Sequence, residues 1–195
     1  MPKVKVTETE LSQDIDFDSL ANAPISLDPV LQREIAQATI DYIKNRVEDE
    51  NLGLGRKALK SPYQKSYQES LDFQAAGKSA SNVNMMLSGD MMGSIDVIDE
   101  GETVKIGIDN PAVMPRAYGH QSGFKGHPNK KMAEYKREFF GVTDDEVKKF
   151  VLADFEDDIN ALREGLRPTQ ADNELAQVQN NIFRNLGDLF DESEV

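Results

Sequence analysis

Two short runs of alternating side chains, Ser94–Ile98 and Thr103–Ile108, constrain this chain more than any other feature. Ile95 and Val97 fall on one face of the first run. Val104, Ile106 and Ile108 fall on one face of the second, the period of two of a half-buried strand. Asp99-Glu100-Gly101-Glu102 lies between them and has turn chemistry. A lone pair of strands is unstable in water, so the hairpin demands a third strand or a helix over its apolar face. Arg137-Glu138-Phe139-Phe140-Gly141-Val142 is the expected third strand. Gly107, inside the second run, marks a bulge or the close approach of another backbone.

The expected cover is helical. Asp28 is a good N-cap and Pro29 suits the first helical position. Leu31, Ile35, Ala38, Tyr42, Ile43 and Val47 then recur at helical spacing to about Glu50, and Gly53 and Gly55 are expected to end the helix. A shorter helix is expected from Pro62 to Ala76, capped by Ser61, with Tyr63, Tyr67, Leu71 and Phe73 on its apolar side. Thr143 caps a further helix whose first turn holds Asp144, Asp145 and Glu146, where the helix dipole favours negative charge. Its stripe is Val147, Phe150, Val151, Asp154, Phe155, Ile159 and Leu162, and it closes near Gly165 and Pro168. Asp172–Phe190 repeats the amphipathic pattern with Leu175, Val178, Ile182, Phe183, Leu186 and Leu189.

These elements imply an α+β fold: a long N-terminal helix and the later helix packed on a small, mainly antiparallel sheet. The expected core is Leu31, Ile35, Ile43, Val47, Ile95, Val97, Val104, Ile106, Phe139, Phe150 and Phe155. Residues 1–27 read as an extended acidic arm, in which Val4-Lys5-Val6 forms a short strand for another chain's sheet edge. Residues 28–167 form the domain, and 168–195 an amphipathic helical tail. An apolar fraction of 38% is low for a compact globule, so part of the chain is not core-forming.

Charge is unevenly placed. Residues 1–52 carry −6, residues 53–142 carry +2 and residues 143–195 carry −9, for a total of −13. Acidic ends keep a protein soluble; they also face basic partners, or line a channel through which a polyanion slides without sticking. A grip on nucleic acid is disfavoured, because phosphate binding needs a basic surface. With no cysteine there is no disulfide framework, thiolate nucleophile or zinc–thiolate site. The N-terminus lacks an apolar core of signal-peptide length, and no run reaches the length of a membrane span.

No motif carries recognisable chemistry. His120 and His127, the only histidines, flank Ser-Gly-Phe-Lys-Gly within a glycine-rich loop expected from Pro115 to Pro128. They have basic neighbours (Lys125, Lys130, Lys131) in place of the converging ligands that a metal needs. Arg116, Lys125 and the glycines of that loop lack Walker or Gly-x-Gly-x-x-Gly spacing, so a loop ordered by a partner is the better reading. Asp154-x-Glu156-Asp157-Asp158 reads as a solvated helix face, because acid–base pairs need desolvation or mutual proximity. Asp96-x-x-Asp99-x-Gly101 lacks EF-hand spacing and reads as turn chemistry. Met85-Met86 and Met91-Met92 suit either a core or an adaptable contact surface. The candidate interface residues are Met85, Met86, Met91, Met92, Arg116, His120 and Lys125, with Ile182, Phe183 and Leu186 of the tail as a helix for a neighbour's groove.

The order of short motifs between Leu87 and Glu146 resembles the tail-completion or virion-morphogenesis proteins of tailed bacteriophages, the neck proteins of the head–tail junction. The matching residues are Leu87-Ser88-Gly89 with Met91 or Met92, then Ser94-Ile95, then Val104-x-Ile106-Gly107. Ala117-x-x-His120-Gln121-x-Gly123 and Arg137-x-Phe139-Phe140-Gly141 before Thr143-x-x-Glu146 complete the series. The likeness spans roughly residues 28–165. It departs in lacking a proline just before Arg137 and in carrying acidic ends. The resemblance implies a structural protein without catalytic residues or cofactor. It implies a ring of six or twelve copies in the virion neck, assembled in the host cytoplasm, that joins the head connector or portal side to the tail. Double-stranded DNA would pass through without specific binding, and no membrane would be involved. A tail-terminator or head-completion ring is the alternative within that class. A hydrolase is a distant one, since no nucleophile–base pair is evident.

Overall fold

The computed structural model describes residues 3–23, 26–59, 63, 65–75, 89–100, 103–123 and 136–164. Its strands are β1 (Val4–Val6), β2 (Leu11–Ile15), β3 (Asp96–Glu100) and β4 (Val104–Ile108). Its helices are α1 (Phe17–Ala21), α2 (Pro29–Glu48), α3 (Lys65–Gln68), α4 (Leu71–Ala75), α5 (Asp90–Gly93), α6 (Met114–Ser122), α7 (Asp144–Phe150) and α8 (Glu156–Arg163), with 3-10 turns at Leu54–Arg56 and Leu152–Phe155. The fold is α+β. The four strands form one antiparallel sheet in the order β1-β2-β4-β3.

The β3–β4 hairpin forms as its alternation requires, but its partner is not the segment 137–142. The third and fourth strands come from the region expected to be a free arm: β2 pairs with β4, Leu11 opposite Ile108 and Ile15 opposite Val104, and β1 pairs with β2. The reason is apolar content placed at strand spacing. Leu11 and Ile15 are wholly buried and Phe17 nearly so, which an extended arm would leave in water. Gly107 is the predicted close approach. A Cβ there would collide with the Leu11 carbonyl oxygen and lie 2.6 Å from the Ile98 side chain. The irregularity itself lies in β3, between Val97 and Asp99.

Helix α2 starts as expected, with the Asp28 carboxylate accepting from the Leu31 N–H at 3.0 Å and proline in the first turn. Its buried stripe is Leu31, Ile35, Ala36, Thr39, Ile40, Ile43, Arg46 and Val47, each fully buried aliphatic contributing about 1.5–3 kcal/mol. The helix ends at Glu48, before the expected glycines, and the chain turns at Asn51 with a φ of 58°. Thr143 and Glu146 form a complete capping box at the start of α7. The long helix expected after Thr143 is broken into α7, the 3-10 turn and α8. Val147, Val151, Ile159 and Leu162 of its stripe are buried, whereas Asp154 is exposed.

Between α2 and β3 the expected single helix is two short ones. Tyr63, Tyr67 and Phe73 meet edge to face with centroids 5.2–5.4 Å apart. Leu71, expected on the apolar side, is 82% exposed, because the break before α4 turns it outward. The region expected to be a loop from Pro115 is helical through Ser122. Pro115 sits in the first turn, where a missing N–H costs nothing, and Gly119 is buried. Among the described residues no helix is long and apolar enough to cross a membrane.

Candidate functional site

The centre of the molecule is the segment Arg137–Val142, which runs through the core without joining the sheet. Phe139 and Phe140 are wholly buried, so their backbone groups must find partners inside the protein. Side chains and isolated backbone groups from several elements supply them. Gln121 of α6 donates to the Phe140 carbonyl and accepts from the Phe140 N–H, both at 3.2 Å. Gln13 of β2 does the same for Val142, donating at 2.7 Å and accepting at 2.8 Å. Each amide replaces one residue of a neighbouring strand, since only a carboxamide offers a donor and an acceptor side by side. Arg46 of α2 donates to the carbonyls of Phe139 and Gly141, both at 2.9 Å. The Leu54 N–H donates to the Glu138 carbonyl and the Arg137 N–H to the His120 carbonyl, each at 2.7 Å.

Gly141 permits this path. Its φ is 99°, and a Cβ would lie 2.5 Å from the Val4 side chain and 3.0 Å from Gln13 Oε1.

Arg46 also joins the segment to α7. Its guanidinium meets Glu146 Oε1 at 2.8 Å in a fully buried ion pair. Tyr42 donates to the same oxygen at 3.1 Å. Glu146 Oε2 accepts from the Gly55 N–H at 3.1 Å, the Thr143 N–H at 2.9 Å and the Thr143 hydroxyl at 3.0 Å. Burial alone would raise the Glu146 carboxyl. The Thr143 N–H and the Arg46 charge outweigh it and hold the group below the ordinary carboxylate value. A carboxylate accepting from five donors has no lone pair left to take a substrate proton, so this pair is a brace. Arg46 was missed in the sequence. Its signal was its place three residues after Ile43, inside the apolar stripe.

Comparison with protein-family models, with curated proteins and with solved structures gives no match.

Of the residues that carry the sequence resemblance, those of the later motifs meet in this knot. Gln121, Phe139, Phe140, Gly141, Thr143 and Glu146 all take part in it, and the His120 carbonyl anchors its start. Of the candidate interface residues, the described ones lie on two neighbouring helices, α5 and α6. Met91 and Met92 are 4% and 1% exposed and belong to the core, so they present no contact surface. His120 lies on α6 and not in a loop. It is largely buried, and that burial, with the nearby Arg137 and Arg116 charges, pushes its imidazole down to about 3. Arg116 is exposed on the same helix, beside a hollow shared with Asp90, Ser94 and Asn110. Met85, Met86, Lys125, His127, Ile182, Phe183 and Leu186 lie outside the described residues.

An open hollow of about 610 Å³ lies over the brace, lined by Gly55, Arg56, Asp144, Asp145, Lys149 and Phe150 among others. Arg56 stacks on the Phe150 ring at 4.9 Å and pairs with Glu50 at 2.7 Å, so the lining is of mixed charge. The carboxylates Asp154, Glu156, Asp157 and Asp158 are exposed. Among the described residues no group of three or more potential ligands could hold a metal ion.

Proposed function

We propose that this chain is a structural subunit of a tailed-phage virion, a neck or tail-completion protein. Copies of it form a ring that joins the head connector to the tail around the DNA channel. The observation that supports this reading most is that motif residues from Gln121 to Glu146 are tied into one unit: Gln121 holds the Phe140 backbone, and Arg46 ties Phe139 and Gly141 to Glu146. Motifs that occur in this order and also depend on one another behave as a fold signature, and the resemblance supplies the function. The buried polar constellation around Arg46 and Glu146 is consumed in bracing, which suits a chain whose task is shape. A net charge of −13 suits a passage for DNA, because an acidic wall offers phosphates no counterion-release binding.

The test is imaging. Negative-stain class averages of the purified chain should show closed rings with a central hole, and a labelled copy should mark the head–tail junction of assembled particles. A chain that stays solitary at high concentration and attaches to no capsid or tail component would overturn the reading.

A further inference from the structure

We infer that copies associate head to tail through the two outer strands of the sheet, β3 of one copy against β1 of the next. The inference rests on the ring reading and names the contact that would build the ring.

Strand direction comes first. In the order β1-β2-β4-β3 every neighbour is antiparallel, so β3 runs opposite to β1. An even number of alternating strands means that β3 meets the β1 of a following copy antiparallel, and the sheet continues without a break in pattern. The two edges are different surfaces, so the contact is heterologous, the kind that generates rings when its rotation closes.

The edges are also complementary residue by residue. Val4, Gln13, Ile106 and Val97 form one row across all four strands, and Lys5, Ser12, Gly107 and Asp96 form the next. Continuing the rows into a second copy places Val97 beside Val4 and Asp96 beside Lys5. Val4 and Val97 are only partly buried in one copy, on the face that packs against the core. Each would complete the other's burial. Lys5 and Asp96 are exposed and opposite in charge. Lys3, also exposed, extends the basic edge. A groove of about 500 Å³ flanks β1, lined by Val4, Val6, Leu54, Ser122 and Lys136 among others, and leaves room for the entering strand's apolar side.

Both edges are guarded against indiscriminate pairing. β1 has three residues, β3 is irregular after Val97, and the Val97 N–H is held by Asp96 Oδ1 at 2.8 Å. Lys5 meanwhile pairs with Glu10 at 2.6 Å, an exposed contact that exchanges readily. Guarded edges with matched charges favour one partner, a second copy.

Sedimentation velocity of the full chain over a concentration series tests this with two charge-reversed variants, Lys3→Glu/Lys5→Glu and Asp96→Lys/Asp99→Lys. Lys3, Lys5 and Asp96 are exposed, and circular dichroism checks that each variant folds. Each variant alone should associate about tenfold more weakly than wild type, because like charges face across every junction. An equimolar mixture should recover assembly, since both of its junctions then pair opposite charges. Wild-type rings with variants that assemble as well would overturn the edge contact and leave the ring reading standing. Weakened variants whose mixture fails to recover would overturn the edge contact too. A wild type that never associates would overturn the ring reading, and this inference with it.

Discussion

Gln13 offers the sharpest test of how the core segment is held. Its side chain is wholly buried, and its amide makes both hydrogen bonds to Val142. Gln13→Leu keeps volume and removes both partners, leaving one N–H and one carbonyl buried and unpaired. At about 1–3 kcal/mol for each orphaned group, the loss is roughly 2–6 kcal/mol. Gln13→Glu is more discriminating. An ionised carboxylate still accepts from the Val142 N–H, but it faces the Val142 carbonyl oxygen without a proton to give. The cost at pH 7 is about 3–5 kcal/mol, the scale for a buried charge left uncompensated. Protonation turns the carboxyl into a donor beside an acceptor, the same pattern as the amide it replaced. The folded-state pKa of the new group is therefore raised above its unfolded value near 4.3. Its favourable contribution is fully present below that value and is lost as pH rises through the folded pKa. Urea unfolding of wild type and both variants from pH 7 to pH 4 reads this directly. The gap between wild type and Gln13→Glu should shrink to about 1 kcal/mol on acidification, while the gap for Gln13→Leu stays constant. A Gln13→Leu variant within about 0.5 kcal/mol of wild type, or a Gln13→Glu gap that ignores pH, would refute the clasp.

Other perturbations have definite outcomes. Arg46→Met should cost about 3–5 kcal/mol by leaving Glu146 buried with its main counter-charge gone, and the thermal midpoint reports it. Wild-type stability should fall as pH drops from 6.5 toward about 3, because the unfolded His120 takes up a proton that the folded one refuses. Between pH 6.5 and pH 5 that slope is worth about 2 kcal/mol, and His120→Asn should flatten it in urea titrations. Glu146 adds to acid lability at lower pH, since its depressed pKa makes its contribution vanish only as pH falls through the folded value. Gly107→Ala should destabilise by about 1–3 kcal/mol, because the new methyl meets backbone of β2, and circular dichroism melts would show it.

What was legible in the sequence was local. Asp28-Pro29 and Thr143 with Glu146 announce helix starts because capping is read from residues a turn apart. The β3–β4 hairpin is legible because its alternation is uninterrupted. β2 is not, because Gln13 sits at an inward position of Leu11-Ser12-Gln13-Asp14-Ile15 and acidic neighbours mask the strand. Gln13 faces inward only because Val142 waits there, 129 residues away. The same distance explains the misreading of Arg137–Val142. Its composition is strand-like, but side chains take the place of its pairing partner. Met114–Ser122 hid its helix behind Pro115 and Gly119, one harmless in the first turn and the other buried. Of the knot, the motif residues were visible in order, while Gln13 and Arg46, which clamp them, carried no motif.

The path of residues 137–142 through the centre has a consequence for how the molecule comes into being. Clasps for it lie on β2, α2 and α6, all of which leave the ribosome earlier than the segment they hold. Until residue 142 is made, Gln13 and Arg46 have nothing to bind, and the first half of the polypeptide keeps polar groups that its own interior cannot accommodate. The nascent chain therefore waits, and cooperative closure comes late, with contacts of long sequence separation forming together.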